Sequence, residues 1–166
     1  ADGVLTPFSF PKFEQADHVR LGFGRADDLA IISASSYNSP RITYSFNLKS
    51  KVLKQWSLPN APEVQLSEFV PAKLEHYTTR DQVKIPMFVR RSKKCELESC
   101  PVVVLFHGGP EAQSLPGFSS LAQLFSENDF IFVEPNVRGS SGYGKEWHHS
   151  DNGPKRESVI TDIGNS

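Results

Sequence analysis

His107-Gly108-Gly109-Pro110 stands directly after the apolar run Val102-Val103-Val104-Leu105-Phe106. Two glycines at the end of a buried strand let the backbone turn sharply, with no Cβ to hold a ligand away. In open α/β sheets ligands bind at the carboxyl ends of the strands. A backbone N–H exposed there can stabilise a developing oxyanion. Pro110 lacks an N–H and has a fixed φ, which would help hold such a loop open. The plainer alternative is a strand-to-helix turn with no chemistry. A second loop, Pro135-Asn136-Val137-Arg138-Gly139-Ser140-Ser141-Gly142-Tyr143-Gly144, follows the next apolar segment, Ile131 to Val133. Its Arg138 could orient a carboxylate or carbonyl through a planar donor fork. Neither Gly-Lys-Ser/Thr nor G-x-G-x-x-G occurs, which speaks against a nucleotide site.

A hydrolytic serine would need a nucleophile elbow, G-x-S-x-G, between a strand and a helix. Gly139-Ser140-Ser141-Gly142-Tyr143 comes nearest but ends in tyrosine. Ser141 therefore reads as a loop serine with no base to activate it. His148 and His149 are adjacent, so their side chains diverge on a helix or strand, and loop histidines are the better reading than a metal site. Asp151 and Asp162 precede any possible elbow, whereas the acid of a hydrolase triad follows its serine, so both read as structural. Cys95 and Cys100 have no further Cys or His at metal-site spacing. They are expected to be two free thiols, with a loop disulfide as the alternative. No cofactor or metal is implied.

The elements that must position these loops fall into two textures. His18 to Phe23, Leu29 to Ser35, Ile42 to Asn47 and Val52 to Leu58 are short β-rich runs. Turn signals separate them at Arg25-Ala26-Asp27-Asp28, Tyr37-Asn38-Ser39-Pro40 and Asn47-Leu48-Lys49-Ser50, as in an antiparallel sheet. Four strands in one pass match a propeller blade, which cannot bury both of its faces alone. Pro59-Asn60-Ala61-Pro62 and Pro71 mark a boundary between about residues 59 and 72. Beyond it, Leu74 to Thr78 and Ile85 to Val89 flank a polar turn, Thr79-Arg80-Asp81-Gln82. Lys93 to Ser99 is a charged surface loop. Val102 to Phe106 is continuous rather than alternating, which predicts a strand covered on both faces. Leu121, Leu124 and Phe125 line one face of a helix over Phe118 to Glu127, capped by Ser119 or Ser120 and ended by Asn128. Strand, helix and strand make a βαβ unit, hence a parallel sheet. Glu157, Val159, Ile160 and Ile163 suggest a further amphipathic helix.

The charges nearly cancel, at −1 over 166 residues, which leaves no basic face for nucleic acid and no polybasic membrane patch. The longest apolar run falls far short of the roughly 20 residues of a spanning helix. No signal peptide is visible, and the cytoplasm is the default location.

With both loops in view, the sequence resembles the prolyl oligopeptidase family of serine peptidases. The resemblance rests on His107-Gly108-Gly109-Pro110, followed by Asn136-Val137-Arg138-Gly139-Ser140-Ser141-Gly142-Tyr143-Gly144 and Trp147-His148. The HGGP loop is nearest to the acylaminoacyl-peptidase branch. Ile85 to Val89 and Ser35 to Ile42 extend the likeness, while Asp81-Gln82 stands where the family's hairpin turn usually has Asp-Gly. The resemblance implies an α/β fold. Residues 1–70 would end a β-propeller as its last blade, and residues 71–166 would begin an α/β-hydrolase catalytic domain, incomplete here. It further implies that the Gly109 N–H serves the oxyanion hole and that His107 stands where other branches carry a tyrosine. Arg138 and Tyr143 would form the loop and build the wall of the substrate site, without taking part in bond making. The catalytic Ser, Asp and His would lie beyond Ser166, and short peptides or acyl-peptides would be the substrates. An inactive remnant or binding protein, and an esterase-type hydrolase, are the alternatives. Exposed strand edges, poor solubility or a partly molten state are expected of the isolated chain.

Overall fold

The computed structural model describes residues 11–13, 16–25, 28–58, 65–109 and 111–166. The expected turn residues Ala26 and Asp27, the Pro59-Asn60-Ala61-Pro62 boundary and Pro110 lie outside the described residues.

The first sheet is a meander. β1 (His18–Phe23), β2 (Leu29–Ser36), β3 (Ser39–Asn47) and β4 (Leu53–Gln55) follow in sequence order, each antiparallel to the last. β2 alternates strictly, burying Ala30, Ile32 and Ala34 on one face. Their partners across β3 are Phe46, Tyr44 and Ile42, so one face carries the core, with Phe13 and Leu48 packed against it. Val19, Leu21 and Phe23 of β1 share that face and stay exposed, so its apolar surface runs out past its cover. β3 starts earlier than its β-rich run suggested and takes in Pro40. β4 is shorter than expected, because Ser57 Oγ takes over as acceptor for Thr43 N–H at 2.8 Å.

The second sheet has the order β5-β6-β8-β7, formed by β5 (Lys73–Thr78), β6 (Lys84–Arg90), β7 (Val102–Val104) and β8 (Ile131–Pro135). Between β7 and β8 runs α1 (Ser120–Glu127), and β7 and β8 are parallel, so the expected βαβ unit is present. The sheet as a whole is mixed rather than parallel. β6 runs antiparallel to β5, to which a tight turn joins it, and antiparallel to β8 as well. In that turn Thr79 Oγ1 accepts from Val83 N–H at 3.0 Å and lies 2.5 Å from Asp81 Oδ1. Gln82, the residue at which the turn departs from Asp-Gly, sits at φ +65°, a conformation glycine adopts more readily.

Two expectations about burial fail. β7 is an edge strand, with Val102 56% exposed and Val104 and Leu105 open as well, so it is not covered on both faces. In α1 the buried residues are Ala122, Gln123 and Ser126, while Leu121 and Leu124 are 46% and 55% exposed. The helix turns these three residues inward together with Phe125, whose ring stacks on that of Phe132 of β8 at 5.7 Å, as expected of that one residue. Ser119 Oγ caps it by accepting from Ala122 N–H at 3.2 Å, as expected of that serine. Gln123 reaches the segment before β5, accepting from Val70 N–H at 2.8 Å and donating to Val70 C=O at 2.9 Å.

Cys95 and Cys100 form a disulfide, against the expectation of free thiols. The charged loop doubles back between them, held by Lys94 to Asp129 at 2.7 Å and Lys73 to Glu96 at 2.5 Å, which brings the two Cα atoms to 5.5 Å. Because the closed loop is short, opening it should cost about 2 kcal/mol. Urea unfolding with and without reductant is expected to show that loss, and identical midpoints would mean that the bond does not constrain the chain.

Glu75 of β5 faces Arg91, whose guanidinium contacts both carboxylate oxygens, one of them at 2.9 Å. That hydrogen bond holds the Glu75 carboxyl below its ordinary 4.5, against partial burial. A carboxyl depressed in the folded state contributes stability above its unfolded pKa, lost as pH falls through the folded one. Stability should therefore drop below about pH 4.5, less steeply in Glu75→Gln, as denaturant titrations at stepped pH would show.

Candidate active-site loops

The parallel pairing of β7 and β8 sends both glycine-containing loops from the same edge of the sheet, as their sequence positions implied. Leu105 N–H donates to Val133 C=O at 2.8 Å, extending the ladder to the start of the first loop. Arg90, completely buried at the end of β6, braces the neighbouring segment. It pairs with Glu134 of β8 and donates to Gly117 C=O at 2.8 Å and Pro116 C=O at 3.3 Å.

Side chains and backbone then tie the loops to each other. Asn136, fully buried, accepts from Ser114 N–H at 2.7 Å and donates to Ser114 C=O at 3.1 Å and Tyr143 Oη at 2.9 Å. Ser141 N–H donates to Ala112 C=O at 2.9 Å. His107 Nε2 lies 2.9 Å from Ser140 Oγ. Gly109 has φ +143°, and a Cβ there would meet Glu111 N at 2.7 Å. Gly139 has φ +94°, and a Cβ there would lie 2.5 Å from the Asp151 carboxyl carbon. Both positions thus need glycine for conformation and for room.

Arg138 does not present its donor fork to a ligand. Its Nε lies 2.9 Å from Asp162 Oδ2, its Nη1 2.7 Å from Asp81 Oδ2, and its Nη2 meets Asp162 Oδ1 and Ser158 C=O. Its backbone N–H also donates to Asp162, at 3.1 Å. Hydrogen bonding to Asp162 is the main reason its guanidinium is held charged beyond the ordinary arginine range. Protein acceptors fill the fork, so Arg138 braces the second loop and has no free donor pair with which to orient a carboxylate or carbonyl. Asp162 is completely buried on α3 (Arg156–Gly164), where Ile160 and Ile163 are exposed instead of forming the inner face. Tyr77 of β5 donates its hydroxyl to Asp162 C=O at 2.8 Å. Burial first, and the Asp162 charge second, push that phenol well above its ordinary value.

Tyr143 packs its ring 6.0 Å from that of Trp147 on α2 (Lys145–His148), and its hydroxyl accepts from Asn136. His148 and His149 follow at the end of α2, and His148 faces Glu111 at 3.8 Å. Among the described residues no group of three His, Cys, Asp or Glu side chains could hold a metal ion. Among them, too, no helix is long and apolar enough to cross a membrane.

Ser140 and His107 stand at the separation of a nucleophile and its base. Ser140 is completely buried, however, and His107 Nδ1 faces Gly108 C=O at 3.1 Å rather than a carboxylate. No carbonyl substrate can reach that hydroxyl, so the pair is not a catalytic dyad. Sequence reasoning weighed Ser141 and passed over Ser140, and nothing in Gly-Ser-Ser-Gly distinguishes the two. Asn136 had one usable signal, an amide placed directly after an apolar strand.

A family model described as "Prolyl oligopeptidase family" matches residues 116–165. The prolyl endopeptidase of Elizabethkingia miricola is 29% identical over 148 residues, covering 86% of this chain and 20% of that protein. The prolyl endopeptidase of Dictyostelium discoideum is 27% identical over 140 residues, covering 82% and 18%. The chain thus spans about a fifth of the length of the curated relatives it matches. Among solved structures, a prolyl endopeptidase studied for inter-domain dynamics superposes with a TM-score of 0.76 at 22% identity, over 93% of this chain and 23% of its own. Prolyl oligopeptidase B of Galerina marginata, bound to a 35mer substrate, gives 0.73 at 19% identity, over 90% and 22%. The chain is thus similar to members of the prolyl oligopeptidase family over most of its length, and that family's model matches its residues 116–165.

Proposed function

We propose that the chain carries the oxyanion-loop region of a serine peptidase that hydrolyses peptide or acyl-amino acid bonds through an acyl-enzyme. The nucleophile, acid and base are supplied by residues outside these 166. The first sheet is then the last blade of a propeller (residues 1–70), and the second sheet begins an incomplete α/β-hydrolase domain (residues 71–166). One observation carries the proposal: two interlocked loops leave one sheet edge, and Gly109 is held among them in a conformation only glycine takes easily. In this scheme the Gly109 N–H binds the oxyanion, His107 shapes the pocket, and Tyr143, Asn136 and Arg138 hold the loops in place. The relatives' names favour acyl groups ending in proline over the acylaminoacyl alternative. An esterase is less well supported, since it has no use for the first sheet.

A second reading, an inactive remnant or binding protein, draws support from the missing G-x-S-x-G elbow. A covalent serine-hydrolase probe separates the readings. The native source should contain a labelled protein that includes this sequence and is heavier than 18.5 kDa, while the 166-residue chain stays unlabelled. Labelling of Ser140 or Ser141 in the chain itself would sink the assignment, and no labelling in either sample would favour the remnant.

A further inference from the structure

The entry to β7 depends on one covalent bond. Ser99 and Cys100 make no hydrogen bond to any described residue, and Pro101 has no N–H to donate. Pro101 C=O then accepts from Ile131 N–H at 2.9 Å, which opens the ladder to β8. On the other side of the disulfide, Cys95 is 5% exposed and firmly seated. Its N–H donates to Ser92 Oγ at 3.4 Å, and Ser92 Oγ donates to Asp129 Oδ1 at 3.3 Å. Glu98 N–H donates to Lys94 C=O at 2.9 Å, so a backbone turn knits this half of the loop. The disulfide therefore ties the start of β7 to the turn between α1 and β8 that carries Asp129. β7 itself is three residues long, and β8 is its one neighbour in the sheet.

The same bond lies within reach of a reagent. Cys100 is partly exposed, and Glu96, Leu97, Glu98 and Ser99 between the cysteines are exposed. Exposed disulfides are the labile ones, whereas buried structural ones resist reduction.

We propose that Cys95–Cys100 is a reversible redox site whose substrate is a dithiol, and that its opening loosens β7 ahead of the first glycine-containing loop. A thiolate of the dithiol attacks Cys100 Sγ, the S–S bond breaks, and Cys95 leaves as a thiolate that takes up a proton. The second thiol of the dithiol, losing its proton, attacks its own sulfur in the mixed disulfide and releases Cys100, which is protonated in turn. Two electrons pass to the protein, and the dithiol ends as its own disulfide. The Ile131 hydrogen bond is then what remains at the entry to β7. The ion pairs of Lys94 and Glu96 hold only the other half of the loop, at the surface, where such pairs are weak. At its far end β7 runs through Leu105, whose N–H donates to Val133 C=O at 2.8 Å, into His107-Gly108-Gly109. Any effect on turnover rests on the function proposed above, whereas the loosening of β7 does not.

Amide hydrogen exchange of the 166-residue chain, oxidised and after treatment with dithiothreitol, tests the proposal. The Ile131 and Leu105 amide protons report on β7. The Asn136 amide proton, donated to Pro86 C=O at 2.8 Å, reports on the opposite side of β8. Reduction should speed exchange at Ile131 and Leu105 by about tenfold more than at Asn136, and reoxidation should reverse the difference. The double variant Cys95→Ser, Cys100→Ser should show the reduced pattern and no response to dithiothreitol. Equal acceleration at all three amides would mean that the bond acts on the whole fold, and unchanged exchange at Ile131 and Leu105 that it holds nothing; either result overturns the proposal. So does a count of free thiols that stays at zero after dithiothreitol treatment of the folded chain. The wild-type measurements decide by themselves, so a double variant that failed to fold would not rescue a wrong assignment. If probe labelling instead refuted the peptidase reading, these exchange rates would be unaffected.

Discussion

Replacing Gly109 with valine is expected to lower turnover by about 10²-fold or more in a catalytically competent protein that carries this segment. Two independent reasons converge on that residue. Its φ of +143° is one that a β-branched residue adopts only under strain, and the new Cβ would press on Glu111 N at 2.7 Å. To relieve either, the backbone must rotate, and the Gly109 N–H rotates with it. An oxyanion donor acts only when it is aimed at the point where charge develops, so the loss should fall on kcat more than on KM. Gly108 is the internal control, since a Cβ there meets nothing within 4 Å, and Gly108→Ala should keep most of the activity. Equal losses in the two variants would mean that the loop responds to bulk in general, and unchanged turnover in Gly109→Val would remove that amide from the mechanism.

Asp162→Ala should destabilise the fold by about 3 kcal/mol or more, the cost of stranding one partner of a buried ion pair. The carboxylate is completely buried and receives the Arg138 backbone N–H as well as its guanidinium. Without it a charged fork would remain largely enclosed, with only Asp81 and a carbonyl to face. Asp81→Ala should have a far smaller effect, because that carboxylate lies at the surface and its depressed pKa comes first from Thr79 and then from Arg138. Urea denaturation of the two variants compares them directly, and similar midpoints would show that Asp162 is not the anchor of the second loop.

Both predictions involve residues whose importance was unevenly visible in the chain. The Gly109 loop was legible as a sharp turn from local rules, an apolar run, then two glycines, then a proline, while the part proposed for its N–H came from the resemblance. The alternation of β2, the Ser119 cap and the β7-α1-β8 unit were legible for the same reason, since each depends on neighbours a few positions apart. Arg138 was visible as a loop-forming residue but its partners were not, because Asp81 and Asp162 are brought to it only by the folded sheet. The rotation of α1 was misread for a related reason. Apolar spacing pointed to Leu121, Leu124 and Phe125, yet only Phe125 packs on the sheet, and the contacts of Gln123 with Val70 leave both leucines open. The strand Val102–Val104 reads as buried by composition, but its place at the end of the sheet order leaves it open. The cysteines lay in a loop whose course is set by ion pairs to Glu96 and Asp129, which spacing along the chain does not reveal.

Gln123 occupies both the N–H and the C=O of Val70 with a single side-chain amide. An amide used this way imitates one rung of a neighbouring strand, so the segment ahead of β5 is held by a residue of α1 and not by a strand. The Val70 amide proton can then trade with solvent deuterium only when the helix lets go. Its exchange rate is a one-atom clock for how often α1 lifts from the chain beside it.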